Sequence, residues 1–398
     1  MSQTAPIAAP IPSSAATDPS TAAYTPLAAA LHVSESTVLY GRRTAPTASS
    51  TSHGSTTSQE VAALLRHAGV YDLGWLQRLR ITGEDRSRWL NGMITNSVKA
   101  LAPYQGCYSF LLNAQGRILG DAEIYALPQA LLLVADAEQL PRLQAHLDHF
   151  IIMDDVELAP ELGLTALGLA GPHAAKLLQQ ALGFDAATLP PGHLHEITSS
   201  PNSLMIARGD SRDSKVRGDN GDSGDIDQYT LWVAENTVSD LWQQLLAAGA
   251  VPCGSQAVEA LRILSGTPRY GADIHEKTLA QETGQTRALN FNKGCYLGQE
   301  IVERVRSRAT LNRSLFCFQL TGSIPQPGTA LFAAAHPEQP VGQLTSVTSL
   351  TLTDHPQLSG IFALGTARTE AVNAPLLFAG GTAQALSKAP LAPLGSTR

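Results

Sequence analysis

From residue 57 onward the chain switches between two hydrophobic periods. Val61, Leu64 and Leu65 recur at helical spacing behind Thr57 and Glu60, which stand at capping-box separation, and Gly69 stops the segment. Residues 76–81, Leu-Gln-Arg-Leu-Arg-Ile, alternate with period two and predict a strand. Thr82 and Asp85 open a short helix carrying Trp89, Leu90 and Met93, which Asn91-Gly92 weakens or ends. Residues 106–112 and 116–125 predict two strands around the turn Asn113-Ala114-Gln115-Gly116. In the second, Ile118, Gly120, Ala122 and Ile124 share one face, and Leu119, Asp121, Glu123 and Tyr125 share the other. A strand is expected at 130–135 and a helix at 138–150 on Leu140, Leu143, Leu147 and Phe150. Residues 156–170 are strand-like in parts, and Gly171-Pro172 starts a helix on Leu177, Leu178 and Leu182 that Gly183 stops.

Strand patterns at 203–207 and 229–234 flank a stretch, 209–227, dense in Asp, Gly, Ser, Arg and Lys, which is expected to be a mobile hairpin extension. Thr237 and Asp240 cap a helix whose core face is Val238, Leu241, Trp242, Leu245 and Leu246, ended by Gly249, and residues 256–266 are helical. Residues 269–273 and 281–284 read as loops. From 314 the pattern is all-β through 341–353 and 360–367, with Pro and Gly between strands, which predicts a small C-terminal barrel. Residues 1–57 are rich in Ala, Ser, Thr and Pro and lack a sustained period, so most of them are expected to be disordered. Residues 27–40 are the exception, since Leu27, Leu31, Val33, Val38 and Leu39 can dock weakly. The expected division is a tail at 1–56, an α+β region at 57–304 and a barrel region at 305–398.

A chain of 398 residues with 43% hydrophobic residues can build a sizeable core. Its net charge of −7 argues against a general binder of nucleic acid or anionic membrane, so an anionic ligand needs local positive charge. No apolar run is long enough to span a bilayer, and the N-terminus lacks the pattern of a secretory signal. Four scattered cysteines, Cys107, Cys253, Cys295 and Cys317, fit a reducing compartment, taken as the cytoplasm, and give no zinc or redox pair. His146 and His149 near Asp154 and Asp155, and His193 and His195 with Glu196, lack a metal-site spacing and read as solvated helix and loop residues. No metal is expected.

The least generic stretch is Lys293-Gly294-Cys295-Tyr296-Leu297-Gly298-Gln299-Glu300. Gly294 and Gly298 permit positive φ or close backbone approach. Residues 301–305 can start a helix, which places Cys295 in a tight loop before a helix N-terminus and two residues from Lys293; both features favour thiolate over thiol. An isolated cysteine is most often a small buried filler, but the polar crowding of this loop marks Cys295 and Lys293 as the candidate reactive pair.

This stretch resembles the K-G-C-[YF]-x-G-Q-E signature of the YgfZ-type folate-binding proteins, relatives of the aminomethyltransferase (T-protein) of the glycine cleavage system. Shorter likenesses follow in order along the chain: Arg80 to Asp85, Asn91 to Asn96, Gly116 to Asp121, Tyr270 to Ile274 and Gln281-Glu282. The resemblance covers most of the chain from about residue 71. It implies an α+β fold of two intertwined α+β subdomains around a central folate-binding hole, with a C-terminal β-barrel. It also implies folate-dependent support of iron–sulfur protein assembly or repair, tRNA-modifying enzymes included. Tetrahydrofolate or a one-carbon derivative is then the expected ligand, and iron–sulfur clients or assembly factors are the expected partners. The tail and the 209–227 insertion are departures from the family.

Under that expectation Glu282 can accept paired hydrogen bonds from the amino-pyrimidinone edge of folate, Asp121 can face its N5/N10 region, and Gln299 and Glu300 belong to the same site. Arg304, Arg306, Arg308 and Arg313 form a basic run; Arg304 and Arg313 can hold the glutamate tail, and a solvated barrel edge explains the run equally well. Three functions compete. One is an iron–sulfur maintenance factor using Cys295. Another is a folate-dependent aminomethyltransferase of the glycine cleavage type, in which a carboxylate such as Asp121 acts. The last is a non-catalytic folate store or scaffold.

Overall fold

The computed structural model describes residues 25–30, 53–199, 202–210, 226–308 and 311–391. Most of the tail expected at 1–56 and most of the insertion expected at 209–227 lie outside the described residues. The described part of the tail is not loose. Helix α1 (Pro26–Ala30) buries Leu27 completely, and the Thr25 hydroxyl donates to the carboxylate of Asp72.

Helix α2 (His53–Arg66) begins before Thr57, so Thr57 and Glu60 do not cap it. They serve a different element. The Thr57 hydroxyl donates to Gln256 Oε1 at 3.0 Å, and Glu60 Oε2 accepts the backbone N–H of Gly254 at 2.9 Å, at the start of α7 (Ser255–Ser265). A local spacing matched the capping box, while a helix packed alongside takes the hydrogen bonds.

The chain then moves back and forth between two sheets. β1 (Gly69–Asp72) enters a six-stranded sheet, whereas β2 (Leu76–Thr82), β3 (Gly106–Leu112), β4 (Ile118–Ala126), β5 (Leu131–Asp136) and β6 (Glu157–Pro160) build a five-stranded antiparallel one. Helices α3 (Arg86–Met93) and α4 (Leu140–Asp148) cover its outer face around Trp89, Leu90, Leu143 and Leu147. Helix α3 continues through Asn91-Gly92, and α4 is two residues shorter at each end than the expected 138–150 span, leaving Phe150 beyond it.

β7 (Leu164–Gly171), β8 (Leu194–Ser199), β9 (Asn202–Arg208), β10 (Asp227–Ala234) and β11 (Val251–Pro252) return to the first sheet, in the order β11-β1-β7-β10-β9-β8. Its outer face buries Leu167, Leu169, Leu231 and Val233 under α1, α5 (Ala174–Leu182) and α6 (Val238–Ala247). Gly183 closes α5 with φ 69°, as its sequence predicts. Thr237 does not cap α6; its hydroxyl donates to Ala234 O at 3.1 Å. β8 was expected as loop, and His195 on it stacks on Phe184 at 4.6 Å. Among the described residues no His, Cys, Asp and Glu group is arranged to hold a metal, and no helix is long and apolar enough to cross a membrane.

After α8 (Gln299–Arg308) the strands β12 (Arg313–Gly322), β13 (Ala330–Ala333), β14 (His336–Leu350), β15 (Gly360–Arg368), β16 (Leu376–Phe378) and β17 (Gly381–Ala385) form a closed barrel around Phe318, Leu331, Leu344 and Ala363. Two buried ionic links join the parts. Arg78 on β2 pairs with Glu161 at 2.5 Å and lies 4.9 Å from the ring of Trp232 on β10. Arg262 on α7 pairs with Asp273 at 2.6 Å, and Asp273 also accepts from Thr345 and Ser346 of the barrel. A fully buried carboxylate is tolerated because both its oxygens are bonded.

Candidate functional site

Strand alternation decides what lies between the sheets. On β7 Leu167 and Leu169 point outward, while Ala166, Gly168 and Ala170 fall on the other face; on β10 that inner face carries Gln228, Thr230 and Trp232. Small inner residues leave space, and a cavity of about 360 Å³ opens there. Its opposite wall is the β3–β4 hairpin with Tyr108, Glu123 and Tyr125, and α7 contributes Val258, Leu261 and Arg262. Two glycines admit its aromatic rings. A Cβ on Gly168 would stand 2.0 Å from the Tyr71 ring, and one on Gly106 would stand 2.5 Å from that of Tyr125.

Tyr108 is the centre of this wall. Its hydroxyl donates to Asp121 Oδ2 at 2.7 Å, and the guanidinium of Arg287 lies 4.3 Å from its ring centroid. Arg287 is also 3.8 Å from Glu123. The amide of Gln139 donates to the other Asp121 oxygen at 3.2 Å. Burial pushes Asp121 above the usual carboxylate range, opposed by the Tyr108 and Gln139 hydrogen bonds. Burial, and then the adjacent Asp121, hold the Tyr108 phenol well above its ordinary value. Asp121, expected to face the folate, is not among the residues that line the cavity; it stands one hydrogen bond behind the wall, and Tyr108 presents the surface.

The other candidates distribute differently. Glu282 Oε2 accepts the Leu279 N–H at 2.8 Å, closing the short turn Ala280–Thr283, and Glu282 is not among the residues that line the cavity. Gln299 Oε1 accepts from Tyr296 N at 3.3 Å. Glu300, Arg304 and Arg313 are exposed and away from the cavity lining. Within the basic run, Arg306 pairs with Glu303 at 3.4 Å and covers Phe291.

Lys293 is held in a way its position in the sequence does not reveal. Its ammonium donates to Asn91 O at 2.6 Å, Ile94 O at 2.6 Å and Asn96 O at 2.5 Å, with Tyr296 against it at 4.8 Å. Burial draws it down to about 7, while the three carbonyls match the three donors of the charged form. Asn96 in turn donates to Tyr108 O and Arg287 O, and the buried Thr95 hydroxyl donates to Ala288 O. The loop is therefore tied to the cavity wall through Lys293 and Asn96. Gly298, at φ 82°, presses on the β3–β4 turn, where a Cβ would meet Asn113 O at 2.7 Å. Gly294 has open space around it, and Cys295 beside it is exposed. The arrangement is a polar-walled cavity and, apart from it, an outward thiol on a pinned loop. Glu123, Tyr125 and Arg287 were not singled out from sequence; the only signal was that Glu123 and Tyr125 share the Asp121 face of β4.

Residues 34–293 match the model of the GCVT N-terminal domain. A chloroplastic protein of Arabidopsis thaliana, assigned by name as a transferase, is 26% identical over 306 residues, which is 76% of this chain and just under two thirds (66%) of that protein. Aminomethyltransferases of Cutibacterium acnes and of a Synechococcus species are 29% and 30% identical, over 71% and 73% of this chain and 76% and 78% of theirs. The glycine cleavage system aminomethyltransferase T of Bartonella henselae shares the fold, with a TM-score of 0.72 at 20% identity over 84% of this chain and 89% of that one.

Proposed function

Because the chain belongs to the GCVT N-terminal domain family of the aminomethyltransferase superfamily, we propose that it binds tetrahydrofolate, or a one-carbon derivative, in the cavity between its sheets. We assign it to the YgfZ-type branch, which supports assembly or repair of iron–sulfur proteins, tRNA-modifying enzymes among them. The observation that carries this reading is the exposed Cys295 on a loop fixed at both ends, by Lys293 and by Gly298. An exposed thiol on a rigid loop can meet a partner protein without opening the fold. A single thiol cannot hold a cluster alone, so a partner or a second copy has to supply the remaining ligands.

The test is rescue of a strain lacking the protein. Wild type is expected to restore iron–sulfur enzyme activities, and Cys295→Ser to fold normally and fail. Full rescue by Cys295→Ser would remove the thiol from the function. The second reading, a folate-dependent aminomethyltransferase, is supported by the named relatives; fold alone does not carry that activity. Tetrahydrofolate-dependent ammonia release from an aminomethylated lipoyl carrier, unaffected by Cys295→Ser, would establish it instead.

A further inference from the structure

Asp72 is an unusual residue for the face of the sheet that carries it. Its outward neighbours Val70, Leu167 and Leu169 are apolar and pack under the helices. Asp72 is completely buried among them, which pushes its carboxyl up to about 6. A leucine would serve static packing better than a carboxylate here. What the carboxylate gains is a directed partner. Its Oδ1 accepts the Gly74 N–H at 2.8 Å, and its Oδ2 accepts the hydroxyl of Thr25, which itself accepts the Ala28 N–H at 3.2 Å. Gly74 leaves room for this contact: a Cβ there would stand 2.9 Å from Thr25 Cβ and 3.0 Å from both Asp72 Oδ1 and Thr165 Oγ1.

Two costs oppose the docking of residues 25–30. One is the buried carboxylate. The other is Thr165 Oγ1, buried at the same spot without a hydrogen-bond partner among the described residues. On the favourable side, α1 has one fully buried side chain, Leu27, and lies against α6. Docked and released states are therefore close in free energy. The opposite face of the same strand is the cavity. Tyr71 and Leu73 flank Asp72, alternate inward and line it.

We propose that residues 25–30 are a strap whose docking on the back of β1 sets Tyr71 and Leu73 into the cavity wall, so that a docked strap and a filled cavity favour each other. The strap stands on the far side of the sheet and is not part of the cavity lining, so it braces the wall without occupying the space. Linkage makes the coupling reciprocal: a ligand in the cavity holds the strap as much as the strap tightens the cavity.

Amide exchange on the full chain under reducing conditions tests it. Gly74→Ala takes the space of Thr25 at a glycine without positive φ, and Leu27→Asp breaks the anchor. Both variants should release the Ala28 and Ala29 amides and speed exchange at residues 70–76 by about 10-fold or more, with the barrel strands unchanged. In the wild type, tetrahydrofolate should slow exchange at Ala28 and Ala29, and calorimetry should show both variants binding it about 5- to 20-fold more weakly. This ligand arm rests on the folate reading; the exchange arm does not. Unchanged exchange at Ala28 and Ala29 in both variants overturns the inference. So does a released strap with residues 70–76 within about twofold of wild type, and so does tetrahydrofolate that binds wild type and variants alike. Failure of the wild type to bind tetrahydrofolate overturns the folate reading and leaves the strap decided by the exchange arm.

Discussion

Replacing Lys293 by Met separates a structural lysine from one that serves Cys295. Met keeps the length and apolar stem of the side chain and removes the ammonium. Three carbonyls, those of Asn91, Ile94 and Asn96, then lose their donor. Hydrogen bonds from a charged group are worth about 1.5–3 kcal/mol each, so the gross loss is about 4–9 kcal/mol. Against this, the variant no longer buries a charge. The fall of Lys293 from 10.5 to about 7 sets that relief at about 4–5 kcal/mol at most, and less once solvent screening is allowed for. With that relief discounted to about 3 kcal/mol for solvent screening, a net loss of about 1–6 kcal/mol remains, a large part of the margin of a folded domain. Urea unfolding reads the total, and amide exchange reads where it falls. Faster exchange is expected at residues 91–97 and across the loop to Gly298, with the Tyr108 wall loosened through Asn96. Stability within about 0.5 kcal/mol of wild type, together with slower alkylation of Cys295, would refute the reasoning and make the lysine a partner of the thiol.

Asp72 is raised from 3.8 to about 6, chiefly by burial, so the folded state holds its proton more tightly than the unfolded chain. Its stabilising effect is complete below about pH 4 and is lost as pH rises through about 6, by about 3 kcal/mol at most; Asp72→Asn should flatten that slope in urea titrations run from pH 4 to 7.5. Arg262→Met leaves Asp273 buried without its guanidinium and should cost about 3–5 kcal/mol in urea unfolding, with partial recovery when Asp273→Asn is added.

The period-two segments were legible because each sheet has one face under helices. Leu167, Leu169, Leu231 and Val233 announce β7 and β10, and the leucines of α5 and α6 announce the cover. The barrel was legible from its phenylalanine alternation and its breakers. β8 was not, because its row of His195 and Glu196 resembles a loop and only pairing with β9 makes it a strand. Thr57 and Glu60 misled because a correct local spacing serves a partner distant in sequence. In the site, the hairpin face bearing Asp121 was readable, but which carboxylate reaches open space depends on where the second sheet stands. That information is tertiary: Tyr108 covers Asp121, and nothing in the spacing of the two residues foretells it.

The crossing of the chain between two sheets has a consequence for how the protein comes off the ribosome. β1 is buried along its whole length, yet its neighbours β7 and β11 are made much later, and its parallel pairing with β11 joins Gly69 to Val251. Until nearly the entire α+β portion has been translated, an apolar strand waits with open edges. Connections of this kind close slowly and leave nascent chains prone to stick to one another. A chain cut anywhere before Val251 is therefore expected to yield aggregate or proteolytic debris in place of half a protein. Production in cells will depend on chaperone capacity more than on the final stability of the fold.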